Sequence, residues 1–215
     1  MRKESDTMNI LAIGAHFDDL ELGCSGTLIS HVDKGDRVIM LVITNSAYNN
    51  HSGDLVRGKD IAYNEGVKAA GIIGAELICM NYETFLVPFE EALTKEICRY
   101  IEEYDIDVIY CPWVHDLHRD HHYAAKNTLM AGRHVPRFLM YRSNYYDTEQ
   151  TFKGNFYSDI TSVMDRKMEV IKAHKSELER VRLKWLDFFK NQNANDGQKI
   201  GVEYAECFEV VRFLF

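Results

Sequence analysis

The sequence predicts a Rossmann-like α/β fold, a mainly parallel sheet with helices on both faces and a metal site at the carboxyl ends of the strands. Three observations predict it. Short apolar runs alternate with helical spacing, the pattern of βαβ units joined by right-handed crossovers. The run at 38–44, Val-Ile-Met-Leu-Val-Ile-Thr, is nearly all apolar, as in a strand buried on both faces of a parallel sheet. The first strand opens directly into a loop dense in imidazole and carboxylate, and ligands of open α/β sheets bind where strands end.

Residues 10–14 form that first strand. A helix follows over 23–35, with Leu28, Ile29 and Val32 on one face and Lys34-Gly35-Asp36 as its stop. After the second strand, 45–54 consists of turn formers and predicts a loop. The helical pattern at 59–70 is stopped by Gly71 or Gly74, and 76–80 is a third strand. Residues 89–104 are amphipathic, with Leu93, Ile97, Tyr100 and Ile101 spaced for one helix face. The fourth strand, 107–111, ends at Pro112. Beyond it the spacing predicts a helix at 120–132, a strand at 137–141 and a mostly helical 161–189. A polar, mobile loop is expected at 191–201, and a last strand within 205–215. No linker, low-complexity tract or repeat divides the chain. It reads as one domain, 1–215, with 1–7 a disordered lead-in.

At 215 residues the chain is long enough for a full core. A net charge of -8 argues against nucleic acid as a partner, since such binding runs on clustered Lys and Arg. No segment is apolar for long enough to span a membrane. Five cysteines without a C-x-x-C suit buried thiols in a reducing compartment, so a cytoplasmic protein is expected. Aromatic content near the C-terminus hints faintly at a homo-oligomer.

The loop after the first strand carries His16, Asp18, Asp19 and Glu21. Carboxylates packed together repel and raise one another's pKa unless a positive charge sits among them, and a divalent metal would supply it. Alone, the stretch also reads as a solvated acidic loop that caps a helix. The second constellation shifts the balance. Residues 112–123 follow the fourth strand and hold four of the nine histidines within eight residues, with Asp116 and Asp120. Two such loops across one sheet edge offer the mixed N and O donors that zinc accepts. The spacing is not H-E-x-x-H, which argues against a helix-borne metalloprotease site.

Ala15-His16-Phe17-Asp18-Asp19-Leu20-Glu21-Leu22-Gly23-Cys24-Ser25-Gly26-Thr27 resembles the A-H-P-D-D-x-E-x-G-x-G-G-T signature of the PIG-L (LmbE-like) deacetylases. Asp116-Leu117-His118-Arg119-Asp120-His121 resembles their second signature, D-x-H-P-D-H. The stretch from Gly53 through Arg57 to Glu65 and Gly74 and the stretch Gly201–Phe208 are similar to the family's outer motifs. Phe17 and Arg119 stand where the family usually has Pro, and Ser25 where it has Gly; none removes a ligand. Phe17 is expected to add an apolar wall beside the substrate. The resemblance implies His16, Asp19 and His121 as ligands of Zn2+, with another divalent metal such as Fe2+ left open. It implies Asp18 as the general base toward water, and His118 as the group that stabilises the oxyanion and protonates the leaving amine. Asp120 would orient His118, and Arg57 would bind substrate.

The remaining side chains read more plainly. Glu21 is expected to cap a helix, Asp116 to brace its turn, His115 and His122 to stand at a rim, and His174 and Glu206 to be structural. Tyr145, Tyr146 and Trp113 are candidates for stacking on a sugar ring. The implied activity is hydrolysis of an N-acetyl group from a small-molecule amino sugar or glycoconjugate, giving amine and acetate. The competing readings are an all-helical metal phosphohydrolase with His-Asp pairs and a catalytically silent metal-binding module. A nucleotide-binding module is a third, weakened by the absence of G-x-G-x-x-G.

Overall fold

The computed structural model describes residues 7–215, so all of the expected lead-in except Thr7 lies outside the described residues. The chain runs from β1 (Asn9–Gly14) into two short helices, α1 (Asp19–Gly23) and α2 (Ser25–Asp33), and on to β2 (Arg37–Thr44). A hairpin of β3 (Tyr48–Asn49) and β4 (Leu55–Arg57) follows, then α3 (Lys59–Ile73), β5 (Glu76–Tyr82) and α4 (Glu91–Glu103). Next come β6 (Val108–Pro112), α5 (Arg119–Ala131) and β7 (Arg137–Tyr141). The remainder is β8 (Phe156–Asp159), a 3₁₀ turn (Thr161–Val163), α6 (Met164–Lys172), α7 (Lys175–Arg180), α8 (Lys184–Ile200) and β9 (Ala205–Phe213).

Seven strands form one sheet in the order β5-β2-β1-β6-β7-β9-β8. The first five are parallel, and β9 runs antiparallel to both of its neighbours. That sheet excludes the all-helical phosphohydrolase. β1 lies between β2 and β6, so the winding reverses there and the loops leaving β1 and β6 open side by side into the crevice where such folds bind ligands. Successive residues of β1 face opposite layers, as a strand's period of two requires. Ile10 and Ala12 join Leu28, Ile29, Ala69 and Val170 on one face, while Leu11 and Ile13 join Leu93, Ile97, Ala124 and Ala125 on the other. Each fully buried Leu or Ile contributes about 1.5–3 kcal/mol, so both faces clamp the strand ends that carry the site.

Several local expectations are corrected. The first helix is two, broken at Cys24, which closes α1 and precedes α2. Gly71 lies inside α3, and Gly74 ends it in the left-handed region at φ 88°. The loop at 45–54 contains β3, and β8 arises where the spacing predicts no strand. The polar stretch 191–201 is not a mobile loop but the second half of α8. Asn193 Nδ2 donates to Ala205 O at 2.9 Å, and Gly197 comes so close to the backbone of Val202 and Glu203 that a Cβ would stand 2.7 Å from Val202 O. Packing on β9 therefore outweighs the poor helix propensity of Asn, Asp and Gly.

Phe17 is also corrected: it faces away from the site. It is 1% exposed, packed with Val42 and Ala62 and against Gly66 on α3. A Cβ on Gly66 would lie 2.3 Å from the Phe17 ring. Gly66→Ala gains about 1 kcal/mol of helix propensity but overpacks a buried ring at about 1–3 kcal/mol. A lower urea midpoint is expected, with a less than additive loss when combined with Phe17→Ala; an unchanged midpoint would refute this packing.

Candidate metal centre and active site

β1 ends at Gly14 and delivers His16 to the crevice, α1 opens with Asp19, and the first turn of α5 carries His121. His16 Nδ1 lies 3.2 Å from His121 Nε2 and 3.6 Å from Asp19 Oδ2, while His121 Nε2 lies 3.0 Å from Asp19 Oδ1. A tetrahedral ion with bonds of about 2.1 Å needs ligand atoms about 3.4 Å apart. The three groups implied by the first and second motifs therefore converge as one cation would require. His16, His118 and His121 also bring ring nitrogens within 4.8 Å of one another. His118 also stacks nearly parallel on His121, at 26° and 4.7 Å.

Each converging imidazole turns its other nitrogen to a carboxylate, the arrangement that aims and tautomerically fixes metal-binding histidines. His16 Nε2 is 3.0 Å from Asp120 Oδ2, and His121 Nδ1 is 3.1 Å from Asp116 Oδ2. The resemblance assigns Asp120 to His118; its carboxylate instead meets His16, because α5 turns it towards β1. Only its backbone N–H meets His118, donating to Nδ1 at 3.2 Å. The carboxylates are themselves held. Phe85 N and Val87 N donate to Asp120 at 2.6 and 3.2 Å, Asn144 Nδ2 donates to Asp116 at 2.6 Å, and Ser143 Oγ donates to Asp19 at 2.9 Å. Burial lowers the pKa of His16, but hydrogen bonds to Asp120 and Asp19 outweigh it and lift the ring to about 9. Burial likewise opposes the charges of Asp19 and Asp116, which hold His121 well above its ordinary value. These protons mark where a cation would bind, and a metal displaces them on binding.

Asp18 sits beside this cluster in a backbone conformation that favours glycine, φ 139° and ψ -24°, at a cost of about 1–3 kcal/mol. Burial and then the charge of Asp19 push its carboxyl up to about 7, against the pull of Arg57. Arg57, expected to bind substrate, lines the crevice but is itself buried. It is 2% exposed, and it donates to Phe17 O at 2.9 Å and Glu65 Oε2 at 2.8 Å, with His174 Nδ1 at 3.2 Å and Asp18 Oδ2 at 3.8 Å.

The crevice above is a cavity of about 250 Å³. Tyr48, Phe85, Tyr145, Tyr146 and Trp185 form its aromatic walls, and Glu177 and Arg180 stand on one side. Tyr145 and Tyr146 are about half exposed there, whereas Trp113 is buried in the core against Phe152. His115 and His122 lie outside the cavity, His122 turned onto Val114 O. Sequence reasoning missed Ser143, Asn144, Phe85, Glu177 and Trp185. Glu177 sits in a weak motif-like patch after His174, the others belong to no spaced motif, and Phe85 acts through its backbone amide, which no side-chain pattern reveals.

A family model described as PIG-L, GlcNAc-PI de-N-acetylase, matches residues 11–131, which hold every group of the metal cluster. The chain belongs to the PIG-L family. Among PIG-L relatives, the diacetylchitobiose deacetylase of Thermococcus kodakarensis is 26% identical over 235 residues, covering 98% of this chain and 86% of that one. The structure of N,N'-diacetylchitobiose deacetylase from Pyrococcus horikoshii, complexed with its inhibitor MPG, superimposes with a TM-score of 0.82 at 22% identity, over 96% of this chain and 84% of that one. GalB, the 4-carboxy-2-hydroxymuconate hydratase of Pseudomonas putida KT2440, shares the fold with a TM-score of 0.76 at 16% identity, over 97% and 98%. The architecture of this PIG-L chain therefore hosts more than one chemistry, and the side chains of the site must decide among them.

Proposed function

We propose that the protein hydrolyses the N-acetyl group of an amino sugar or glycoconjugate, giving a free amine and acetate. One observation carries the reading: His16, Asp19 and His121 meet at 3.0–3.6 Å with the strained, half-buried Asp18 next in the chain. His16, Asp19 and His121 would hold Zn2+, with Fe2+ the other candidate, and the ion would polarise the amide carbonyl and lower the pKa of a water from 15.7 towards roughly 7.

The chain's own groups do the rest. Asp18, raised to about 7, is basic enough to take a proton from the attacking water. His118 accepts Asp120 N–H at Nδ1, so its hydrogen is on Nε2, and the ring faces the cavity as a neutral donor. Burial is the largest cause of its lowered pKa, about 4, and favours the neutral ring. A neutral donor suits the developing oxyanion, a contact worth about 3 kcal/mol, but it is a poor acid. The proton for the leaving amine therefore passes from His118, where the family resemblance put it, to Asp18. Tyr145 and Tyr146 offer flat faces to the sugar ring at the mouth. Five free cysteines suit the cytoplasm; among the described residues no helix is long and apolar enough to cross a membrane.

The test is acetate release across a panel of N-acetylated hexosamines, chito-oligosaccharides and glycoconjugates. Release from at least one is expected, lost with chelator and restored by zinc at one ion per chain. No acetate from any of them, with the metal bound, would overturn the reading.

A further inference from the structure

One buried titratable cluster next to the site takes no part in the chemistry above. His174, 1% exposed just before α7, has Nδ1 3.2 Å from Arg57 Nη2 and Nε2 3.1 Å from Glu21 Oε1 in α1. Glu21 Oε1 and His174 Nε2 approach as an ion pair, and neither atom makes a hydrogen bond of good geometry among the described residues. A guanidinium only donates, so His174 Nδ1 must accept; the ring then carries its hydrogen on Nε2, where Glu21 lies. An imidazolium would set N–H against N–H at Arg57.

Arg57 in turn is gripped from two helices. Its Nη2 donates to Glu65 of α3 at 2.8 Å, and Glu65 accepts from Ser176 N and Oγ of α7 at 2.8 and 2.7 Å. Its Nη1 donates to Phe17 O at 2.9 Å, the carbonyl of the peptide whose N–H belongs to Asp18. Ser46 Oγ accepts from Phe17 N at 2.8 Å on the preceding peptide. The Phe17–Asp18 peptide is thus held at its carbonyl, and the peptide before it at its N–H, at the φ that Asp18 would not otherwise adopt.

We infer that His174 is a positioning residue: with the Arg57 guanidinium at its Nδ1 and Glu21 beside its Nε2, it fixes Arg57, and Arg57 fixes the Phe17–Asp18 peptide that aims the Asp18 carboxylate. Arg57 then serves the base and not the substrate. Its kinetic consequences rest on the proposed deacetylation; the tautomer does not.

His174→Leu should lower kcat about tenfold to a hundredfold, the cost of a base displaced by about an ångström, with KM within twofold and zinc content unchanged. His174→Asn places an acceptor near the Nδ1 position and should recover most of the lost kcat. His174→Gln reaches Glu21 but not Arg57 and should not recover it. Equal losses in the Leu and Asn variants, or a risen KM at unchanged kcat, would overturn the inference. Should the Leu variant not fold, Glu21→Gln keeps the shape and should still lower kcat several-fold at constant KM; unchanged kcat there also overturns it. In ring-labelled protein, ¹⁵N NMR should find His174 neutral with its hydrogen on Nε2. An imidazolium or an Nδ1–H ring sinks the proposal even if the chain releases no acetate, an outcome that would separately sink the deacetylase reading.

Discussion

Asp18→Asn should lower kcat for acetate release by about a thousandfold, within the range for losing a general base, while KM stays within about threefold and zinc remains bound. Asn matches Asp in size, and the contacts that hold this loop at Phe17 N and Phe17 O do not involve the residue 18 side chain, so the loop geometry survives and only proton acceptance is lost. The cluster of His16, Asp19 and His121 does not use the Asp18 carboxylate, hence the retained ion. A variant that keeps a tenth or more of the kcat would place the base elsewhere. A protein that merely stores metal has no turnover to lose, so the same measurement separates it from an enzyme.

Removing Glu206 should cost the fold about 3–5 kcal/mol, the usual penalty for stranding one member of a buried pair. Cys24 precedes α2 without a side-chain cap. The free N–H groups of that helix are met instead by Glu206 from β9, which accepts from Gly26 N at 2.8 Å, Thr27 N at 2.7 Å and Thr27 Oγ1 at 2.6 Å. Lys167 of α6 donates to the same carboxylate at 2.6 Å and to Leu22 O at 3.1 Å, with both charged side chains fully buried. A carboxylate at a helix N-terminus is doubly favoured, by the orphan donors and by the helix dipole. Glu206→Ala is therefore expected to lower the melting temperature by on the order of 10 °C. Lys167→Met alone should cost a similar amount, and the double variant clearly less than the sum. Additive losses would show that the pair is not coupled.

The parallel half of the sheet was legible because strands buried on both faces are written as unbroken apolar runs, 38–44 above all. The metal motifs were legible for a different reason, since carboxylates set so densely among imidazoles after a strand repel one another unless a cation joins them. What stayed hidden depends on neighbours far along the chain. Spacing could not show that Asp120 turns to His16 and Asp116 to His121, nor that Phe17 faces α3. For Arg57 the sequence could not show that Glu65, His174 and Phe17 O take up its terminal nitrogens. Residues 191–200 looked like loop on propensity and became helix through contact with β9. Glu206 looked like a brace for its own strand and instead holds the start of α2.

That last contact has a consequence for how the protein is made. Gly26 and Glu206 are separated by 180 positions, so a growing chain exposes both metal motifs long before the carboxylate that seats α2 leaves the ribosome. Domains tend to fold as units during synthesis, and long-range closures come late. The nascent polypeptide should therefore pass through an interval in which the parallel strands are assembled while the start of α2 is still unanchored.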